Sequence, residues 1–453
     1  MEAFMSNIQA TGPASPYDVV VLGAGYAGLM TALRLGGRHR GLRVALVSAR
    51  DQFLERVRLQ ESIVAPVAPR IPSIAAFLAG TAVEFIWGEV RGLDADARRV
   101  RVVIDGRDQE LAFAQAVYAL GSHIDVENVP GAAAHAYRLE GGEGPRAAAA
   151  LRVRLTESAG HPVRVVVVGG AETGIEAAGE IKTAWPSADV TMISRTRCAD
   201  FRGARVEKAV CAELVRLGVK LIDGESVTEV QPTKVVTDRG RAVRCDICVW
   251  SGGLRSAPIA RAAGIATDAQ GRICVDANLR SISHLHILAA GDAAHPVAPT
   301  GAPYRRSAFA ALVSGAYAAD AILAQRADRR LRPFSFSTFG QGIAVGRSGV
   351  GFFSYPDDRQ RLFILTGGTA RRVRNFFVWL VTAVVKAERR FPGFFFWPGR
   401  RRVSWRQAND AIEKAVETAP AHGRPLAKLV GGGLTTVWKC HESSSEPEDY
   451  GLV

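Results

Sequence analysis

Three glycines near the start of the chain have the type and spacing that bind a phosphate group. Gly23, Gly25 and Gly28 follow the apolar run 19–22 and precede a segment with helical periodicity. The first glycine permits a tight turn, the second lets a pyrophosphate approach the backbone, and the third lets the helix pack on the strand. The helix N-terminus then presents unpaired N–H groups to the phosphates. The sequence therefore predicts a dinucleotide-binding βαβ unit here; a glycine-rich structural turn is the alternative.

A second copy of this arrangement begins near residue 163. The apolar run 163–168 leads into Gly169, Gly170 and Gly174, and a helical pattern continues through Ile181. One such unit is a generic nucleotide site. Two units in one chain predict two dinucleotides that face each other, in an α/β fold with two Rossmann-like domains.

The residues at the second strand end of each unit indicate which nucleotide is bound. An acid usually stands there and binds the ribose, but this chain has Ser48 at the first strand end and Ser194-Arg195 at the second. Arg50 is predicted to reach phosphate or adenine, and Asp51 is an alternative ribose ligand. Ser194 and Arg195 suit the 2′-phosphate of NADPH, although an arginine after a strand is more often a surface residue.

The charge balance and the cysteine content restrict the class of protein. The 453 residues include 57 Lys and Arg against 44 Asp and Glu, a net charge of +13 that favours dinucleotides or acidic membrane surfaces as partners. Six scattered cysteines are typical of a reducing cytoplasm, and residues 1–16 lack the basic and apolar regions of a signal peptide. The apolar run 376–385 is much shorter than the roughly 20 residues of a spanning helix. We therefore expect a cytoplasmic protein with no metal site and no nucleic-acid partner, because neither a ligand cluster nor a reader motif is present.

Composition shifts and glycine or proline clusters divide the chain into parts. The predicted parts are a disordered leader (1–16), the first part of the first unit (17–145), the second unit (146–262), the second part of the first unit (263–330), a C-terminal interface region with β-structure (331–402) and a polar tail (403–453). Further strands are expected at 42–47 and 189–193, and the segment 117–122 is expected to be a buried strand ending in a glycine turn. The segment 83–90 is expected to pair with 99–104.

Four motifs, taken in order, resemble those of one family. They are Gly23-x-Gly25-x-x-Gly28, the turn Ala119-Leu120-Gly121, the segment from Gly169 to Glu176, and Gly291-Asp292 at the end of a returning buried run. Over roughly residues 17–400 the chain resembles the two-dinucleotide-binding-domain flavoproteins, the pyridine nucleotide-disulfide reductase-like superfamily. Within it, the chain looks most like type II NADH:quinone dehydrogenases and their apoptosis-inducing-factor-like relatives.

The resemblance implies that the first unit binds FAD and the second binds NADH or NADPH. Hydride would pass from the nicotinamide to the flavin N5, and the electrons then to a quinone-like acceptor. The matching FAD-binding residues are Gly23, Gly25, Tyr26, Ala27, Gly28, Ser48, Arg50, Val90, Ala119, Leu120, Gly121, Gly291 and Asp292. The matching NAD(P)H-binding residues are Gly169, Gly170, Glu172, Thr173, Gly174, Ser194, Arg195 and Gly252. Glu176 matches a position near the flavin–nicotinamide contact and is predicted to be catalytic, with a first-turn carboxylate favoured by the helix dipole as the alternative.

Three departures from the family pattern favour a second interpretation. Ala171 stands where the NAD fingerprint has its second glycine, and Ser194 stands where an acid is expected for NADH. The helix from Ser307 reads Ala308-Phe309 and lacks the Ala-Gln pair of the resembling quinone reductases. The alternative is an FAD-dependent oxidoreductase of specialised metabolism that acts on a hydrophobic small molecule without productive use of NAD(P)H. A flavin-binding protein whose role is interaction is a third hypothesis.

The spacing Cys245-x-x-Cys248 matches that of redox cysteine pairs. The two cysteines lie in an apolar, strand-like run and not at a helix N-terminus, where a thiolate is stabilised. We therefore expect buried, unreactive thiols at this position.

A basic aromatic stretch, residues 371–402, follows the region of predicted β-structure. Arginine clusters flank phenylalanine, tryptophan and valine there. This composition predicts a helix in the membrane interface, with aromatic rings at the acyl boundary and arginines on anionic headgroups. The protein is then expected to lie peripherally on the inner face of the cell membrane; the alternative is a helix packed on the first unit or at a homodimer interface.

Overall fold

The computed structural model describes residues 16–38, 41–71, 73–139, 143–158, 161–200, 203–296, 304–355 and 360–396. The predictions for the leader before residue 16, for residues 397–402 and for the tail 403–453 lie outside the described residues.

The secondary structure alternates between strands and helices. The helices are α1 Tyr26–Arg38, α2 Ile74–Leu78, α3 Ala132–His135, α4 Gly144–Glu157, α5 Glu172–Ala184, α6 Ala204–Leu217, α7 Ile259–Ala262, α8 Ala308–Arg326 and α9 Gly367–Arg390, with 3₁₀ turns at Arg56–Ile63 and Gly291–Ala293. The strands are β1 Tyr17–Leu22, β2 Val44–Ser48, β3 Val83–Trp87, β4 Glu89–Asp94, β5 Arg99–Ile104, β6 Arg107–Tyr118, β7 Ser122–Ile124, β8 Ala136–Arg138, β9 Arg164–Val168, β10 Asp189–Ser194, β11 Lys220–Asp223, β12 Val227–Gln231, β13 Lys234–Thr237, β14 Ala242–Arg244, β15 Ile247–Trp250, β16 Leu254–Ser256, β17 Ile273–Cys274, β18 Ile287–Ala289, β19 Ala294–His295, β20 Gly340–Val345, β21 Ser348–Ser354 and β22 Gln360–Thr366.

The first sheet has the order β3-β2-β1-β6-β5-β4, and β18 pairs with β6. Strands β3, β2, β1, β6 and β18 run parallel. Parallel strands are covered on both faces, and residues 19–22 of β1 are accordingly fully buried. Because the carboxyl ends of β1, β6 and β18 lie side by side, the turns that follow them meet at one edge of the sheet.

Two strand predictions in the first unit need correction. The segment 83–90 does not pair with 99–104 as one strand. Residues 83–87 form β3, which runs parallel to β2, and only residues 89 and 90, at the start of β4, pair with β5. The segment 117–122, predicted to be a buried strand ending in a glycine turn, contains that turn at 119–121, but its strand part is only the last two residues of the long strand β6. Residues 83–90 and 99–104 are both rich in β-forming residues, so composition alone could not assign their partners.

The second sheet has the order β11-β10-β9-β15-β8 and is also parallel. Its edge strand β8 precedes residue 146, where the sequence places the start of the second unit. The third element of the fold is the antiparallel sheet β20-β21-β22, on which α9 packs. The predicted α/β fold with two Rossmann-like domains and a C-terminal region containing β-structure is confirmed.

Helix α8 is long and apolar enough to cross a membrane, by length and composition alone. In the apolar 18-residue segment of α8 that meets this criterion, 61% is buried inside the protein, and α8 packs closely on α1. Gly315 of α8 permits this contact, since a Cβ there would lie 2.2 Å from the carbonyl oxygen of Ala27. This burial is that of a core helix.

Candidate active site

A cavity of about 370 Å³ lies where the two units and the C-terminal region meet. Its wall combines predicted ligand-binding residues of both units with apolar residues of α8 and α9. The predicted residues that line it are Gly25, Tyr26, Ala27, Arg50, Ala119, Gly121, Glu172, Thr173, Glu176, Gly291 and Asp292. Residues that sequence reasoning assigned to two different ligands therefore share one cavity.

The first glycine turn has the geometry of a phosphate cradle. Gly23 has φ +98°, and a Cβ on Gly28 would lie 1.8 Å from the carbonyl oxygen of Gly23, so both positions require glycine. A Cβ on Gly25 would meet nothing within 4 Å, because this position faces the cavity. The space beside Gly25 is where a pyrophosphate would contact the N-terminus of α1.

Arg50 reaches the cavity with an unsatisfied nitrogen. Its Nη1 is buried and, within the described part of the chain, forms no hydrogen bond. Burial and the neighbouring Arg56 lower the pKa of Arg50. A buried, unpaired guanidinium nitrogen is costly, so its presence in the cavity wall indicates an acceptor-rich ligand at this position.

The two other candidates at this strand end are engaged in local hydrogen bonds. The Ser48 hydroxyl donates to the carbonyl of Arg50 at 2.8 Å and accepts its N–H at 3.2 Å, which closes a turn. The Asp51 carboxylate accepts from the Ser73 hydroxyl at 2.7 Å and from the N–H of Ala75 at 2.9 Å, at the start of α2. Neither side chain lines the cavity, and Asp51 is occupied by the helix N-terminus.

Asp292 follows β18 and stands opposite the first glycine turn. Its Oδ2 accepts from the Ser122 hydroxyl at 2.9 Å and lies 3.7 Å from Nη1 of Arg56. Gly291 has φ +68°, and a Cβ there would lie 3.1 Å from that of Ala27. The turn after β18 therefore brings the Asp292 carboxylate close to the first glycine turn.

The second glycine turn repeats the backbone geometry of the first. Gly169 has φ +115°, and a Cβ on Gly174 would lie 2.0 Å from the carbonyl oxygen of Gly169. Ala171 is exposed at the N-cap of α5, so its methyl projects from the open face of the turn. Gly170 packs on Ser194, where a Cβ would lie 2.3 Å from the hydroxyl oxygen.

The two residues predicted to bind a 2′-phosphate, Ser194 and Arg195, differ in their exposure to solvent. Ser194 is only 4% exposed, beneath Gly170, whereas Arg195 is exposed beyond the end of β10. Gly252 follows β15, and a Cβ there would lie 3.8 Å from Cα of Gly169. These residues border the second turn rather than the cavity.

Glu176 is buried in the cavity wall, where three parts of the chain meet. Its carboxylate accepts from Arg374 of α9 at 2.6 Å, from the N–H of Ala344 at 3.0 Å, and from the Gln60 amide. Burial raises the pKa of Glu176 above its ordinary value, although Arg374 opposes the shift. Arg374 also contacts Glu61 at 2.5 Å, so this cation is shared between two carboxylates.

The apolar part of the wall comes from α8 and α9. Phe309 and Phe377 meet edge to face, with ring centroids 6.2 Å apart and an interplanar angle of 89°. Val378 and Val381 extend this surface along α9. A planar apolar ligand fits such a surface.

Other predicted residues lie outside the cavity wall. Val90 is buried in β4 opposite Val102, and Leu120 is half-buried in the turn after β6. Five predicted glycines form the backbone of the two turns and do not line the cavity: Gly23, Gly28, Gly169, Gly170 and Gly174. The assignment of individual residues to FAD or NAD(P)H stays a prediction.

Sequence reasoning missed several residues of the cavity wall. Gln60, Arg56 and Arg374 reach it from segments that carry no motif. Arg374 belongs to the stretch interpreted as a membrane-facing helix, but its side chain is 4% exposed and points inward. Nothing in the local sequence distinguishes it from the exposed Arg372 two residues earlier.

Comparisons with known proteins agree with this arrangement. A family model described as pyridine nucleotide-disulphide oxidoreductase matches residues 17–315. The chain is 25% identical over 348 residues to the demethylphylloquinone reductase NdbB of Synechocystis sp., covering 73% of this chain and 85% of that protein. It is 30% identical over 298 residues to an NADH dehydrogenase-like protein of Mycobacterium tuberculosis, covering 61% and 72%. The sulfide:quinone oxidoreductase structure from Aquifex aeolicus aligns with a TM-score of 0.72 at 18% identity, over 83% of this chain and 93% of that chain.

Proposed function

Because the chain belongs to the pyridine nucleotide-disulphide oxidoreductase family, we propose that it oxidises NADH or NADPH and reduces a quinone-like acceptor at a membrane surface. The predicted family, the class of FAD-dependent oxidoreductase, and the cofactors FAD and NADH or NADPH are confirmed. The acceptor, the membrane contact and the role of Glu176 are our proposal.

The cavity residues fit FAD. When bound, FAD accepts hydride from the nicotinamide and passes electrons to the acceptor. The open space beside Gly25 would receive the pyrophosphate, the unpaired nitrogen of Arg50 would donate to a phosphate or adenine atom, and Asp292 would accept from ribityl hydroxyls. Of these three contacts, the one to Arg50 would satisfy a buried nitrogen that has no hydrogen bond within the described part of the chain.

The apolar wall formed by Phe309, Phe377, Val378 and Val381 is the observation that carries the choice of acceptor. The residues proposed for FAD line the same cavity, so an aromatic acceptor resting on this wall would lie close to the flavin. Two of the similar proteins have names that include a quinone substrate. Phe309 stands where the resembling quinone reductases have the glutamine of their Ala-Gln pair. We therefore infer that aromatic stacking and burial hold the acceptor here.

Glu176 is the ionisable group best placed to exchange a proton in this cavity. Its carboxylate lies in the wall, and its raised pKa favours holding a proton closer to neutral pH than an exposed glutamate does. Quinone reduction consumes protons as well as electrons. We infer that Glu176 supplies a proton and that Arg374 positions it.

The outer face of α9 supports membrane contact. Phe376 and Trp379 are 54% and 51% exposed, and Phe394 and Phe396 beyond the helix are 69% and 82% exposed. Arg372, Lys386, Arg389 and Arg390 are exposed on the same helix. Aromatic side chains beside cations suit an anionic membrane interface. The inner-membrane location, and the alternative homodimer interface, stay predictions.

The exposed Arg195 supports NADPH as the preferred nucleotide. No acid ends β10, and an exposed guanidinium after Ser194 matches the charge of a 2′-phosphate. NADH lacks that phosphate and would gain nothing from Arg195.

An anaerobic titration tests the first half of the proposal. We expect the flavin absorbance of the purified yellow protein to bleach with NADPH, and with NADH at higher concentration. A short-chain quinone should then restore the oxidised spectrum. If neither nucleotide bleaches the flavin, the specialised-metabolism alternative replaces this proposal.

Co-sedimentation with liposomes tests the second half. Vesicles with anionic lipid should retain the protein, and replacing Phe376 and Trp379 with serine should release it without changing flavin reduction. Retention that is independent of these two residues would contradict membrane contact through α9.

A further inference from the structure

Cys198 and Cys211 lie together beside the second glycine turn. Cys198 follows β10 and is fully buried, whereas Cys211 is partly buried on α6. The Cys211 thiol donates to the carbonyl oxygen of Cys198 at 3.6 Å. This contact brings Cys211 against the residue that carries the second thiol, which is the proximity that a disulfide between the two residues requires.

The two thiols differ in reactivity. The hydrogen bond from Cys198 lowers the pKa of Cys211 below its ordinary value, and the same contact together with burial raises the pKa of Cys198. A more acidic, accessible thiol next to a buried partner is the pattern of a peroxide-sensing pair with a resolving cysteine. Cys211 would therefore be the first of the two thiols to be oxidised.

The other cysteines in the described ranges lack this pattern. Cys245, Cys248 and Cys274 are buried, and burial raises the pKa of Cys245 to about 11 and that of Cys274 to about 12. The pKa of Cys248 is likewise raised by burial. The motif with CxxC spacing is thus the inert pair, and the pair separated by 12 residues is the reactive one.

The backbone around Cys198 contacts the second glycine turn. The N–H of Ala199 donates to the carbonyl of Gly170 at 3.0 Å, and a Cβ on Gly170 would lie 3.2 Å from Cα of Cys198. Ala199 has φ +61°, a conformation that an alanine holds only when its surroundings enforce it. A shift of Cys198 toward α6 would therefore disturb Gly170 and the segment that carries Arg195.

We propose that Cys198 and Cys211 form a peroxide-reactive dithiol whose oxidation to a disulfide weakens binding of the nicotinamide nucleotide. This second part rests on the proposed function. The Cys211 thiolate attacks hydrogen peroxide, takes one oxygen as sulfenic acid and, with one proton, releases water. The Cys198 thiol then attacks that sulfur, the S–O bond breaks, and a second water leaves. Overall, two thiols are oxidised and one peroxide is reduced.

Peptide mapping of the flavin-loaded protein tests the dithiol. After brief treatment with hydrogen peroxide and alkylation of the remaining thiols, we expect a cross-linked peptide joining Cys198 to Cys211, which dithiothreitol removes. The variants Cys211→Ser and Cys198→Ser should lack it, and Cys274→Ser should form it as the wild type does. Cross-linking at Cys245 and Cys248 instead, or no disulfide at all, would overturn the proposal.

Nucleotide affinity tests the consequence. In the oxidised protein the dissociation constant for NADPH should rise about fivefold, close to 1 kcal/mol, with FAD retained, and Cys211→Ser should show no rise. A disulfide that forms without this change would overturn the link to the nucleotide site. If the reduced protein does not bind NADPH or NADH, the proposed function has failed, and the peptide map still reports on the dithiol.

Discussion

The two Rossmann-like units share one backbone plan but differ in the burial of the residues around their glycine turns. In the first unit, Gly25 faces the cavity, and Arg50 presents a buried, unpaired nitrogen to it. In the second, Ala171 and Arg195 are exposed. Buried polar groups that only a ligand can satisfy suit a resident cofactor, and exposed contacts suit a substrate that must leave after each turnover.

The units also differ in what completes them. The first unit supplies Asp292 from its own returning strand, next to its own glycine turn. The second unit depends on other parts of the chain, since Glu176 is bound by Gln60 from before α2 and by Arg374 from α9. The C-terminal helix is therefore part of the second unit's wall as well as a candidate membrane contact.

The dependence of the second unit on α9 is tested most severely by Arg374→Met. This change leaves a buried carboxylate without its cation and should lower the free energy of unfolding by about 3–5 kcal/mol near neutral pH. Burial already raises the pKa of Glu176, and loss of Arg374 raises it further. A group with a raised folded pKa binds its proton more tightly in the folded state, so the deficit should shrink as pH falls through that pKa.

Urea unfolding at two pH values, about 7.5 and about 5.5, measures this deficit. Arg372→Met, on the exposed face of α9, is the matched control and should change stability by no more than about 0.5 kcal/mol. The double variant with Glu176→Gln should recover part of the loss. Equal stability of the Arg374 and Arg372 variants would mean that α9 does not support Glu176.

The variant Arg50→Met tests whether the first unit holds a tightly bound cofactor. FAD should bind at least about tenfold more weakly, because the lost hydrogen bond involves a charged group and is worth about 1.5–3 kcal/mol. The apoprotein should not be destabilised, because the buried nitrogen that is removed has no partner there. Equilibrium dialysis of FAD and thermal unfolding of the apoprotein measure the two effects, with Arg101→Met on the exposed surface of β5 as control. An apoprotein that melts lower would show that Arg50 is structural.

The variant Arg195→Ala tests whether the second unit binds NADPH as a substrate through an exposed contact. The KM for NADPH should rise about tenfold, the equivalent of one charged contact of about 1.4 kcal/mol, while the KM for NADH stays within about twofold. Arg216→Ala, which removes an exposed arginine paired with Glu213 on α6, should change neither. A parallel rise for both nucleotides would count against recognition of the 2′-phosphate.

The smallest effect is expected from Ala171→Gly, which makes the two glycine turns alike. Removing the exposed methyl should lower the dissociation constant for NADPH and NADH about twofold to threefold, by allowing closer approach of the pyrophosphate. Flavin-absorbance or fluorescence titration is precise enough to resolve it. Weaker binding would indicate that the alanine stiffens the turn usefully.

The local pattern was enough to predict the two glycine turns and the strand and helix that flank each of them. The glycine turns are fixed by contacts within a few residues, such as that of Gly28 on Gly23, so spacing alone identifies them. The partner of the segment 83–90 could not be predicted in this way. Its β-forming composition suits either a parallel or an antiparallel neighbour, and the choice depends on the whole sheet.

The sequence by itself predicted two Rossmann-like units and located the glycine turn of each. Only the tertiary structure decided that Asp51 is bound by the start of α2, that Arg374 points inward to Glu176, and that Cys198 lies against Cys211. The physical reason is that charged and thiol side chains acquire their role from partners distant in sequence, whose approach depends on packing. A glycine, by contrast, acts through the backbone conformation at its own position, so its effect on a turn can be predicted from the sequence alone.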